Sequence, residues 1–193
     1  MSLEFFKHFN YLDIFIIILI LRICYIALKT GFPVELFKLA GILSAIFLSL
    51  HYYIFLTGSM PKNIDLGLLP LKFVDFLIFI SLAIAGYLLF MILRCIFYRF
   101  IKLEAVALLS KWGGLALGTF RGFFMAGLIC FTLLISASPY LNKSIENSFF
   151  GSRIYRVAPD TYKWLWSAFF SKFMGTEESN KGTVKAMHNF FHR

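Results

Sequence analysis

The chain has 193 residues, of which 60% are hydrophobic and only 15% charged, and its mean hydropathy is +0.78. A soluble domain of this length cannot hide that much apolar surface, which excludes the ordinary globular classes. A formal net charge of +9 would point to nucleic acid in a soluble domain, but here the basic residues flank apolar runs. Anionic lipid headgroups account for them, and no nucleic-acid partner is expected.

Four runs, near residues 12 to 30, 34 to 56, 73 to 97 and 114 to 137, have the length of roughly 20 helical residues that a hydrocarbon core requires. They predict an all-α polytopic membrane protein with four transmembrane helices, followed by a C-terminal amphipathic interfacial helix. The first run is too long for a signal-peptide core, carries Arg22 in its middle and is followed by no small-x-small cleavage site, so it reads as a retained helix. Asn10 or Asp13 can cap its first turn, and it stops at Gly31. Pro33 pre-sets the second helix, which predicts a tight antiparallel hairpin of the first two. On the second helix Lys38, Gly41, Ala45 and Ser49 share a face, and this seam of small residues predicts helix packing.

The segment from Thr57 to Pro70 is rich in Gly, Pro, Asn and Asp and reads as an aqueous turn. A third helix follows from about Phe73. Beyond Leu93, the spacing of Arg94, Arg99, Lys102 and Lys111 predicts a basic, amphipathic connector lying along the membrane surface.

The fourth run, "WGGLALGTFRGFFMAGLICFTLLIS", holds an arginine inside it. At about 100° per residue, Gly114, Gly118, Arg121, Gly122 and Met125 fall on one face, while Leu117, Phe120, Phe123, Leu128 and Phe131 occupy the other. The expectation is that the bulky side meets lipid and the glycines meet another helix, with Arg121 pointing at the bundle. Two readings of Arg121 stand. Its long stem can snorkel to the nearer interface as a topology signal, or it is paired inside the bundle or contacts a substrate. Alternation of four spans puts Arg22, Glu35 and Arg121 towards one membrane side, so an intramembrane charge cluster of these three is predicted, with Lys38 one turn from Glu35. Asp13 and Asp75 belong to the opposite face, at the starts of the first and third helices. Capping or favourable first-turn placement is the preferred reading of both, with a pair of functional acidic positions on that face as the alternative.

After Pro139 the chain is polar for about twenty residues, dividing a transmembrane domain over 1–140 from a tail over 141–193. In the tail, Tyr162, Leu165, Trp166, Phe169, Phe170 and Phe173 repeat at helical spacing. Over about residues 160–174 they predict an amphipathic helix capped by Asp160, with Lys163 and Lys172 reaching headgroups. An interfacial helix is preferred to a partner-binding one. "GTEESNKGT" then reads as a flexible linker.

Chemistry-bearing motifs are sparse. No Walker loop or dinucleotide glycine fingerprint is present, so no cofactor is expected. Cys24, Cys95 and Cys130 lie within spans without paired spacing, and His188 and His192 have no third ligand near them, so neither a disulfide nor a metal site is expected. His51 is the sole central histidine, with no G-x-S-x-G or H-E-x-x-H beside it, which argues against an intramembrane enzyme.

Three segments, "NYLDIFIIILIL", "KTGFPVEL" and "SKWGGLALGTFRGFFMAGLI", in this order and separation, resemble the colicin V production protein (CvpA) family over about residues 10 to 140. Asp13, Gly31, Glu35, Gly114, Gly118, Arg121 and Gly122 stand at family-type positions. Ala27 departs from an expected glycine, and Ser110 with Lys111 from an expected Asn-Arg pair. The resemblance implies a multi-pass protein of the bacterial inner membrane that supports toxin production, secretion or envelope homeostasis. Its expected partners are the lipid bilayer and either further copies of itself or other envelope or secretion proteins. The alternative is a small oligomeric transporter or channel subunit with a polar path lined by Arg22, Glu35 and Arg121. Lys29, Lys38, Arg94, Arg99, Lys102 and Lys111 favour a cytoplasmic side for the first and third connections, whereas Lys7, Lys62, Lys72, Lys143, Arg153 and Arg156 match them on the other. Because the basic flank of the first helix follows it, both termini are expected outside.

Overall fold

A computed structural model describes residues 10–59, 71–100, 107–136 and 138–168. Seven helices run through them: α1 (Tyr11–Thr30), α2 (Phe32–Ser59), α3 (Leu71–Phe100), α4 (Ala107–Ile135), α5 (Pro139–Glu146), α6 (Gly151–Ile154) and α7 (Val157–Ala168). The first four are each long and apolar enough to cross a membrane, as the hydropathy predicts. The chain is an all-α, multi-pass membrane protein.

Each spanning helix begins before its apolar run, and α2 and α3 also end beyond theirs. Arg94 and Arg99 belong to α3 and Lys111 to α4, so most of the expected surface connector is part of the spanning helices themselves. Lys102 lies outside the described residues. Arginine and lysine extend a helix about as readily as leucine does, and hydropathy alone cannot mark where the backbone hydrogen bonds stop.

Asn10 caps α1 with a reciprocal pair of bonds: its Oδ1 accepts from the Tyr11 N–H at 2.8 Å, and its own N–H donates to Asp13 Oδ2 at 2.9 Å. At the other end Gly31 alone joins α1 to α2, at φ 79° and ψ 167°, a backbone conformation that a side chain at Cβ resists. The Ser110 hydroxyl packs against that turn and accepts the first N–H of α2, from Phe32, at 3.3 Å.

The expected α1–α2 hairpin does not form as a packed pair. α1 lies along α4 and α2 lies along α3, while α1 and α2 touch little beyond their turn. Small residues decide this pairing. A Cβ on Gly86 would come within 2.8 Å of Ala45 Cα, so the α2–α3 crossing is backbone-close there, and Gly41 takes the Tyr87 ring one turn along the same seam. On the other side Ala27 of α1, fully buried, sits directly over Gly118.

α4 occupies the centre, with 50% of its span buried against 11% for α3. Its faces feed two apolar clusters, one around Ile46, Phe79, Phe131 and Tyr162, the other around Leu12, Ile16, Cys130 and Ile154. Phe120 and Phe123 face outward as expected, but Leu128 and Phe131 do not: they are buried beneath α2, α3 and α7.

That burial reflects the largest departure from the sequence expectation. The C-terminal helix begins at Val157, so Asp160 lies in its first turn instead of preceding it, and its apolar stripe faces the bundle. Tyr162 is 2% and Trp166 8% exposed, against α2 and α4, whereas Trp164 is 58% exposed. Gly127 lets it approach, since a Cβ there would meet Val157 Cβ at 2.9 Å, and the Tyr162 hydroxyl lies 3.0 Å from His51 Nδ1. A stripe at helical spacing is satisfied equally by lipid or by neighbouring helices, and here close packing supplies contacts that a fluid interface lacks. Phe169, Phe170, Lys172 and Phe173 lie outside the described residues, as do His188 and His192.

Candidate functional site

Glu35 has no exposed surface and, with Asp13, is one of two fully enclosed carboxylates among the described residues. It stands in the first turn of α2, where the helix dipole favours a carboxylate. Three groups converge on it. Its Oε1 accepts from the Thr30 hydroxyl at 2.5 Å and from the Lys38 ammonium at 2.7 Å, and its Oε2 lies 3.0 Å from Arg121 Nε. The Arg121 contact is an ion pair by distance, but its N–H is not aligned for a hydrogen bond. Thr30 comes from α1, Lys38 from α2 and Arg121 from α4, so one carboxylate ties three spans together.

Local geometry explains the convergence. Gly114 packs against Gly31 and the Ala27 carbonyl, which sets the two helices level, and Arg121 lies seven residues further, about 10 Å deeper at 1.5 Å per residue. Side chains lean towards the N-terminus of their own helix, and α2 and α4 both start at this end. Glu35 and Arg121 therefore lean the same way, towards the Gly31 turn. Arg121 is buried, 7% exposed, and is paired with Glu35 inside the bundle. Gly118, one turn above it, leaves the gap that Ala27 fills, and a Cβ there would also stand 3.8 Å from Glu35 Oε2. Gly122 is less demanding: a Cβ would meet Ile20 and Ile23 at ordinary contact distances of 3.6 to 3.7 Å.

Glu35 and Arg121 are brought together, but Arg22 stands apart. It is exposed on α1. The inward stripe of that helix runs through Leu12, Ile16, Ile23 and Ala27, and Arg22 is about 100° from Ile23 and 140° from Ala27 around the axis. Thr30 and Lys38 complete the cluster in its place. Thr30 carried no sequence signal, because its bond to Glu35 exists only through the sharp turn at Gly31.

Asp13, at the opposite end of the bundle, does more than cap its own helix. It is fully buried and accepts from the Ser148 hydroxyl at 2.6 Å, the Phe150 N–H at 2.7 Å and the Phe149 N–H at 3.2 Å, besides Asn10. A single carboxylate thus satisfies the irregular backbone between α5 and α6, which apolar surroundings would otherwise leave unpaired. Asp75 is half-buried in the third helix, and one of its carboxylate oxygens, Oδ1, is enclosed without a hydrogen-bond partner among the described residues. No group of three His, Cys, Asp or Glu side chains among the described residues is placed to hold a metal ion.

The model of the colicin V production protein family matches residues 12–159, from the first turn of α1 to the first turn of α7. No curated protein and no solved structure matches the chain. The matched stretch takes in all four spans, the Glu35 cluster and the Asp13 anchor, and the chain belongs to the colicin V production protein family.

Proposed function

We propose that this chain is a non-enzymatic component of the bacterial inner membrane, of the colicin V production type, which supports toxin production and secretion or envelope homeostasis. The closed state of the Glu35 cluster carries this reading: the carboxylate has no exposed surface and is held by Thr30, Lys38 and Arg121 from three helices. A group so enclosed joins helices and is not presented to a substrate. Catalysis would need a nucleophile within reach of a base, or convergent metal ligands, around an accessible space. A transport path lined by Arg22, Glu35 and Arg121 is disfavoured because Arg22 faces away from the other two.

The test combines two measurements on the full chain. In a strain lacking the gene, envelope integrity or peptide-toxin secretion should be impaired and restored by the wild type and by Arg22→Gln alike. In proteoliposomes the purified protein should give no solute-dependent current or flux above protein-free vesicles. A flux that Arg121→Gln or Arg22→Gln abolishes would establish the transporter alternative instead.

A further inference from the structure

A crevice of about 220 Å³ opens between α2 and α3 at the level of the Glu35 cluster, lined by Phe37, Lys38, Tyr87, Phe90, Met91 and Arg94. It has defined ends. Towards the Gly31 turn, the Phe37 ring packs on Phe97 and Tyr98 at centroid distances of 5.1 and 6.2 Å. Away from it, Tyr87 lies over Gly41, where a Cβ would stand 3.2 Å from the ring. Met91 at the mouth is 46% exposed, on the helix with the least buried span of the four, so the crevice opens sideways towards lipid.

Its charge is unbalanced. Lys38 and Arg94 both line it, and Arg121 stands behind Lys38 on the same carboxylate. Glu35 is one negative charge shared by two cations, and Arg94 has no carboxylate partner among the described residues. Lys38 and Arg94 each sit six residues inside the end of their helix, about 9 Å along the axis, where an uncompensated cation is costly. Lys38 uses one of three donors on Glu35, and a guanidinium offers five donors that match a phosphate bidentately.

We infer that this crevice is a binding site for one acidic phospholipid, whose phosphate is held between Lys38 and Arg94 while Phe90 and Met91 hold the upper part of an acyl chain. A membrane lipid is the fitting source of the anion because the mouth faces the apolar phase, which a free phosphate does not enter. The bound lipid supplies the negative charge that the cluster lacks, and it completes the α2–α3 seam.

Native mass spectrometry of the full chain, offered phosphatidylglycerol and phosphatidylcholine of matched acyl chains, tests this. One phosphatidylglycerol should be retained preferentially. Arg94→Gln should weaken its retention about fivefold, the worth of one basic residue at an anionic lipid surface, and Arg94→Lys should recover most of it. Arg99→Gln, an exposed cation five residues on, should leave retention unchanged. Met91→Trp, which blocks the mouth without touching charge, should also displace the lipid and serves if Arg94→Gln lowers folded yield. Equal retention of the two lipids, an equal loss in Arg99→Gln, or equivalent occupancy by inorganic phosphate alone would each overturn the site.

Discussion

Arg121 is a charge that the membrane tolerates because a second residue was placed to meet it. An arginine at the centre of a span costs about 2.5 to 3.5 kcal/mol on insertion scales, and the pairing with Glu35 changes what its removal does. Arg121→Ala should leave Glu35, fully enclosed, with Lys38 as its only cation, and truncating one partner of a buried pair costs about 3 to 5 kcal/mol. Lys38 and the nearby interface will soften that loss. A double-mutant cycle isolates the coupling: Arg121→Ala and Glu35→Ala together should cost less than the sum of the singles, read by thermal unfolding in detergent. Additivity within about 0.5 kcal/mol would reduce Arg121 to a snorkelling topology signal. Gly118→Ala is the uncharged contrast. Its new methyl would overlap Ala27, so it should destabilise α1 against α4 with both charges intact, whereas Gly122→Ala, which meets only ordinary contacts, should be close to neutral.

At the scale of elements, the segment after α4 depends on Asp13. Removing that carboxylate leaves the donors of Ser148, Phe149 and Phe150 without their acceptor in an enclosed place, and bonds to a charged acceptor are worth about 1.5 to 3 kcal/mol each. Asp13→Ala should therefore release α5 and α6 from the end of α1 while the four spans hold. Hydrogen exchange should rise by more than tenfold at the Phe149 and Phe150 amides and stay unchanged in α2 and α3; uniform exchange throughout would mean that the anchor is dispensable. Much of this architecture was legible in the sequence. Hydropathy placed the spans, the Asn10 and Asp13 pair marked the start of α1, and glycine periodicity put Gly114, Gly118 and Arg121 on one face. Membrane-side alternation selected Glu35 for Arg121. The same reasoning admitted Arg22 wrongly, because alternation gives depth and says nothing of direction around a helix axis. Neither Thr30 nor Ser148 could be found, since each reaches its carboxylate through a turn whose backbone path no residue pattern encodes.

For the whole molecule, the question is whether the chain after α4 lies on the membrane or inside the bundle. α7 packs on α4 at Gly127 and on α2 at His51, each eight residues inside the end of its helix, or about 12 Å along the axis. Its outward side, with Asp160 and Trp164, borders an open groove of about 550 Å³ shared with Leu39, Leu43, Phe120 and Phe124, of which Leu43, Phe120 and Phe124 lie near the middles of α2 and α4. α7 is therefore expected to be a re-entrant element packed on α2 and α4, since a helical backbone that faces protein on its apolar side is tolerated at membrane depth. Two single-tryptophan variants separate this from an interfacial helix. With only Trp164 retained, at 58% exposure in the groove, fluorescence should be quenched more by lipids brominated deep in the acyl chain than by lipids brominated near the headgroup. With only Trp166 retained, at 8% exposure beneath α2, quenching should be weak at every depth, and His51→Ala, which removes a stacked ring 5.3 Å away, should increase it. A helix lying in the headgroup region with its stripe in lipid reverses the pattern: Trp166 would then be quenched more than Trp164, and shallow bromines would act more strongly than deep ones.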